Sequence, residues 1–190
     1  MRVIAGKYKH RHFEVPANFK ARPTTDFAKE NLFNVLTNLI DFEGVSALDL
    51  FAGTGSISIE LLSRGAAKVV SVELDGMHYR FIRKVMDSVG ETGSIVVHND
   101  VFRFLRGQRA PYDFIFADPP YALKEIPSIP DLIFNNGLLA AGGIFVLEHG
   151  ENLDFSKHTN FMQHRAYGSV NFSFFANVTE GETASVTETL

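Results

Sequence analysis

Four short apolar runs between Val45 and Ala117 alternate with stretches of helical periodicity, and this alternation limits the chain to very few folds. Val45 to Phe51, Val69 to Glu73, Ile95 to His98 and Tyr112 to Ala117 have the length and apolar character of buried strands. Between them, Ser56 to Arg64 and Asp75 to Val89 have helical spacing and are closed by Gly65 and Gly90, and a short helix follows from about Val101 to Leu105. Strands separated by helices of this length form βαβ units around a buried parallel sheet. A further helix around Asp131 to Phe134 leads through "LLAAGG" to the strand "IFVLEH". The two strand-like runs flanking Gly168-Ser169 predict a terminal hairpin.

Three segments are expected. Residues 1–23 form a basic arm or small hairpin, 24–178 the main domain, and 179–190 a polar tail. Asp26 to Ile40 has apolar residues at helical spacing (Leu32, Leu36, Ile40), with Thr24 or Thr25 available as a cap. The fold class is therefore α/β, Rossmann-like, with a mostly parallel sheet. No apolar run approaches the ~20 residues of a spanning helix, and "MRVIAGKYKH" lacks the apolar centre of a secretory leader. No membrane association and a cytoplasmic location are the expectations. The absence of cysteine excludes disulfides, thiolate metal sites and a cysteine nucleophile. The seven histidines show no ligand spacing, so no metal is expected.

The formal charge of −4 conceals an asymmetry. Arg2, Lys7, Lys9, Arg11, Lys20 and Arg22 face a single acid, Glu14, in the first 22 residues, whereas Glu180, Glu182 and Glu188 lie in a tail without a base. A polyanion is accordingly expected to meet the N-terminal segment, with Lys7, Lys9 and Arg11 as contacts.

Ligands of an open parallel sheet bind beyond the carboxyl ends of its strands, so the strand-end residues carry the functional reading. The first strand ends in "LDLFAGTGSIS", where Gly53 and Gly55 let a ligand approach the backbone. Ser58 stands where a dinucleotide fingerprint needs its third glycine, and no Lys-Ser/Thr follows, so neither a dinucleotide loop nor a P-loop is present. Asp49 is unfavourable to a pyrophosphate and suits an ammonium group. Glu73, twenty residues beyond Gly53, is placed for ribose hydroxyls. Asp100 follows the third strand, either as an acceptor for an adenine edge or as the N-cap of the next helix. The fourth strand ends in "FADPPY". Asp118 and the Pro119 carbonyl offer two acceptors held rigid by the proline pair, and Tyr121 offers a flat face. That set suits an exocyclic amine on a purine base taken out of its stack. His149 ends the fifth strand and is expected to border the same site.

Together "LDLFAGTG", Glu73, Asn99-Asp100 and "DPPY" resemble the class I S-adenosylmethionine-dependent amino-methyltransferases. "GKYKHRHFEVP", "RPTTD", "LFNVL" and "LLSRGAAKVVSVE" narrow the resemblance to the bacterial guanine-N2 methyltransferases of small-subunit (16S) ribosomal RNA, from Met1 to about Val178. It implies a seven-stranded sheet ending in a reversed hairpin, S-adenosylmethionine as cofactor, ribosomal RNA or the small subunit as partner, and a monomer. Asp49, Phe51, Gly53 and Gly55 would line the methionine end of the cofactor, Glu73 its ribose, and Asp100 with Val101 its adenine. Asp118, Pro119 and Tyr121 would hold the target base, with Arg22, Thr24 and Thr25 meeting cofactor or RNA. His10 stands where the family has Gly, and Phe27 where it has Arg. The alternatives are a DNA adenine-N6 methyltransferase and a non-catalytic RNA-binding assembly factor on the same fold.

Overall fold

A computed structural model describes residues 1–19 and 26–177. The elements run α1 (Asp26–Leu36), β1 (Ser46–Leu50), α2 (Ser56–Ser63), β2 (Lys68–Glu73), α3 (Gly76–Ser88), β3 (Ser94–His98), α4 (Val101–Gly107), β4 (Tyr112–Ala117), α5 (Ile129–Asn135), β5 (Leu139–His149), β6 (Phe161–Tyr167) and β7 (Val170–Ala176). All seven strands form one sheet in the order β3-β2-β1-β4-β5-β7-β6. Strands β1 to β5 are parallel, and β7 returns antiparallel between β5 and β6. The expected α/β sheet with a reversed hairpin is thus observed.

Alternation along the strands divides the core into two layers. Ala47, Val69, Phe114, Phe116, Ile144 and Val146 pack with Leu32, Leu36, Ile59 and Ile82 from α1, α2 and α3. Leu48, Leu50, Val70, Val72, Ile115 and Phe145 pack on the other face with Leu105 and Ile133 from α4 and α5. The α1 helix ends at Leu36, four residues before the periodic pattern does, in a turn where Leu39 and Ile40 amides bond to the Leu36 carbonyl. Strand β5 begins at Leu139, five residues before the "IFVLEH" run. Ala140 to Gly143 lack the apolar character by which a strand is recognised, and Asn177 supplies backbone bonds to Gly142 and Gly143 there.

The N-terminal arm forms a tight loop closed by the antiparallel bridge Arg2↔His12. Glu60 in α2 receives the Ile4 amide (2.7 Å) and the Ala5 amide (3.0 Å), and Ser63 receives those of Lys7 (2.8 Å) and Tyr8 (2.9 Å). Gly6 has φ 78°, and a Cβ there would lie 1.7 Å from the Ser63 carbonyl oxygen, so only glycine permits this approach. Lys29, fully buried, joins the arm to α2 by donating to the Arg2 carbonyl and to Ser56 Oγ (2.9 Å). The expected caps Thr24 and Thr25, and the acidic tail, lie outside the described residues.

Candidate active site

The carboxyl ends of four adjacent strands carry one acid each. Alternation brings Asp49 of β1, Glu73 of β2, Asp118 after β4 and Glu148 of β5 to the α1-α2-α3 face of the sheet. Asp118 directly follows Ala117, which is in register with Leu50 of β1 and Leu147 of β5.

The turn after β1 is strained. Phe51 is non-glycine at φ 60°, and Gly53 and Gly55 follow at φ 55° and 72°. The left-handed region costs a side-chain-bearing residue about 1–2 kcal/mol, so the fold must hold Phe51 there. Its ring packs edge-on against Phe102 of α4, with centroids 6.2 Å apart. A Cβ at Gly55 would approach Ile82 to 3.1 Å. Gly55 caps α2 without a side-chain bond, and Asp49 supplies the acceptor from a distance by taking the Ser58 amide (3.1 Å) and hydroxyl. Burial pushes the Asp49 carboxyl up to about 7, against the lowering effect of Ser58, while the charges of Asp118 and Glu73 raise it further. A buried acid in this state favours a cation beside it.

Glu73 braces the glycine turn: Oε2 accepts from the Gly53 amide and Oε1 from the Asp75 amide, both at 2.7 Å. Each oxygen retains capacity for a second donor. Leu74, next along, is 63% exposed and offers an apolar surface beside that acid. Asp100 caps α4 by accepting from the Arg103 amide (2.9 Å), so its N-cap role is realised, and Val101 behind it is buried. The fit to a nucleoside-like cofactor bearing an ammonium group is therefore good. The buried acid, the open glycine turn, the ribose-distance acid and the apolar Leu74 follow one another along adjacent strand ends.

On β4, the Asp118 amide bonds to the Leu50 carbonyl (3.3 Å), which ties the "DPPY" loop to the end of β1. Pro119 is buried, whereas the Tyr121 ring is about half exposed (47%). Tyr121 spans to β5, where its hydroxyl donates to Glu148 Oε1 (3.0 Å) and its ring lies over Gly150. Burial, reinforced by Glu148, raises the Tyr121 hydroxyl well above its usual range.

Glu148 is a site residue that sequence reasoning missed. His149 is the neighbour expected there, yet strand alternation points it to the opposite face. On that face it is fully buried against Phe155, with Nε2 and Nδ1 engaged by Ser173 Oγ and the Gly150 carbonyl, both at 2.8 Å. The basic arm residues are not brought to the site either. Lys7 and Tyr8 dock on Ser63, the last residue of α2, about 12 Å along that helix from its glycine-turn end. Lys7 pairs with Glu91 at 2.6 Å, and Lys9 and Arg11 are exposed nearby. Arg22, Thr24 and Thr25 fall outside the described residues.

The strand order and the strand-end acids define a class I S-adenosylmethionine-dependent methyltransferase fold. The family model described as "Conserved hypothetical protein 95" matches residues 1–176, and the chain belongs to that family. It is 31% identical to ribosomal RNA small subunit methyltransferase D of Escherichia coli over 185 residues, covering 96% of this chain and 92% of that one. Among solved structures, a hypothetical protein of Thermus thermophilus superposes with a TM-score of 0.81 at 28% identity, over 93% of this chain and 99% of that one. The T. thermophilus 16S rRNA N2 G1207 methyltransferase, in complex with AdoMet and guanosine, has a TM-score of 0.64 at 25% identity, over 83% of this chain and 44% of its own.

Proposed function

We propose that this chain transfers a methyl group from S-adenosylmethionine to the exocyclic N2 of a guanine in small-subunit ribosomal RNA. Family membership and relatives named for methylating that RNA support methyl transfer to ribosomal RNA. The neighbour complexed with AdoMet and guanosine supports the finer assignment to guanine N2. The observation that carries the reading is the Asp118-Pro119-Pro120-Tyr121 loop bonded to the end of β1, beside the strained glycine turn.

Asp49, Phe51, Gly53 and Gly55 would hold the amino-acid end of the cofactor, Glu73 its ribose, and Leu74 with Asp100 and Val101 its base. The bound cofactor supplies a methyl group already activated on a sulfonium, so the protein needs no nucleophile of its own. The chain's task is alignment: a base turned out of its stack rests against the Tyr121 ring, and Asp118 and the Pro119 carbonyl accept the two hydrogens of its amine. Those acceptors also stabilise the positive charge that develops on the nitrogen. One of the amine's two protons is lost after transfer, with water as its acceptor.

The test supplies labelled S-adenosylmethionine with ribosomal RNA, small-subunit particles or DNA, and identifies the modified nucleoside by mass spectrometry. N2-methylguanosine from RNA or particles is expected. N6-methyladenine would overturn the substrate, and cofactor binding without any product would point to an assembly factor.

A further inference from the structure

Among the described residues, three buried side-chain polar atoms lack a hydrogen-bond partner: Arg2 Nε, Ser94 Oγ and Glu148 Oε2. Arg2 is compensated by ion pairs to Asp26 and Glu30, and Ser94 opens β3 at the end of the sheet remote from the site. Glu148 lies within the site. It is 5% exposed, and it is the residue next in register to Asp118 across the β4–β5 pair. Its Oε1 holds the Tyr121 hydroxyl, while Oε2 has no donor. Burial, with the charge of Asp118, pushes this carboxyl up to about 8, so Oε2 becomes an acceptor once the proton leaves, above that pH or when a donor docks against it. A buried acceptor without a donor is costly and calls for an explanation, and a ligand N–H arriving there would remove the deficit.

We propose that Glu148 Oε2 accepts the ring N1–H of the target guanine and so selects guanine over bases whose ring nitrogen beside the amine carries a lone pair. This rests on the guanine-N2 reading above and deepens it. Guanine presents three coplanar N–H bonds along one edge, one on N1 and two on N2. The site presents three acceptors: the Asp118 carboxylate, the Pro119 carbonyl and Glu148 Oε2. Adenine has only the two hydrogens of its amine, and its N1 lone pair would confront the third acceptor, leaving a buried oxygen unpaired. The Tyr121 hydroxyl fixes the rotamer of Glu148 while the ring above supports the base, so one side chain organises both contacts.

The probes are guanosine and 2-aminopurine riboside, which keeps the C2 amine but has a lone pair at N1. Their binding is measured by calorimetry on protein saturated with S-adenosylhomocysteine. At about pH 8.5, where Glu148 has lost its proton, the wild type should prefer guanosine by about 10- to 100-fold, the range for a hydrogen bond to a charged group. Glu148→Met, similar in size but without an acceptor, should lower that preference at least about tenfold. Because 2-aminopurine also lacks O6, the change between wild type and variant isolates the contribution of Glu148. A role exerted only through Tyr121 would make Tyr121→Phe erase the preference as fully as Glu148→Met does. Direct contact predicts that Tyr121→Phe, which frees the Glu148 rotamer but keeps its acceptor, lowers the preference clearly less than Glu148→Met, whatever the rate. Unchanged preference in Glu148→Met overturns the proposal. Should that variant fail to bind S-adenosylhomocysteine, Glu148→Gln decides: its neutral carbonyl should lower the preference severalfold, and a wild-type value overturns the proposal. N2-methylguanosine as product together with an unaltered preference defeats the Glu148 assignment alone. Any other product defeats the guanine reading and this inference with it.

Discussion

Glu60, in the middle of α2, is surrounded by donors, whereas Glu148, at the end of β5, has one. The Glu60 carboxylate receives the amides of Ile4 and Ala5 and the Arg64 guanidinium (2.8 Å), with the Lys29 ammonium 3.8 Å away. Glu148 receives the Tyr121 hydroxyl and nothing at Oε2. Both side chains are buried. The difference separates two uses of a buried charge. At the arm, three hydrogen bonds and a neighbouring ammonium turn an acid into a clamp. At the strand ends, incomplete pairing beside another acid leaves capacity that a ligand can use.

The largest expected effect breaks the clamp. Glu60→Ala leaves Lys29 buried without its counter-charge and strands the arm amides, and loss of one partner of a buried pair costs about 3–5 kcal/mol. The Tm should fall by roughly 6–20 °C in calorimetric melting. A fall of only a degree or two would mean that the arm is not anchored through this residue. Next in size is the strand-end counterpart. Asp118→Ala should bind S-adenosylhomocysteine as the wild type does while single-turnover methylation drops on the order of 10²- to 10³-fold. Turnover close to wild type would remove Asp118 from the assigned role.

The pH response sharpens the same comparison. The folded-state pKa of Glu148 is raised by burial and by Asp118, to about 8. The native state therefore binds more protons than the unfolded chain between the ordinary glutamate range and that value, and stability falls as pH rises through this window. Each unit of pH is worth up to ~1.4 kcal/mol. Glu148→Gln should flatten the decline of Tm between pH 5 and 8 and be the more stable form at pH 8. Parallel curves for variant and wild type would show that the acid is not held neutral. The smallest effect tests the arm surface. Lys7→Ala removes the half-exposed partner of a largely buried Glu91, which keeps the Tyr8 hydroxyl as a donor, and should cost about 1 kcal/mol. Its docking on the far end of α2 predicts an almost unchanged KM for RNA, and a marked rise in KM would place the arm on the RNA path.

Much of this was legible in the chain itself. The four strands before "DPPY", the glycine closures of α2 and α3 and the terminal hairpin all appear from local periodicity, because each lies within a dozen or so residues. The strand-end acids Asp49, Glu73 and Asp118 were visible for the same reason: strand ends are local, and parallel sheets bind ligands there. Glu148 was not, because which of two adjacent residues in "LEHG" faces the site depends on the phase of β5 against β4. Lys29 and Glu60 look like ordinary polar residues of helices, and only the arm folding back on α2 makes them a buried pair.

The sequence alone determined the order of elements, the parallel sheet and the glycine and proline turns at its working edge, since these follow from spacing and backbone preference over a few neighbouring residues. The tertiary structure decided the contacts between residues distant in the chain. It placed Tyr121 on Glu148 across 27 positions and the Ile4 amide on Glu60 across 56. Such pairings depend on strand register and packing, and no local window carries that information.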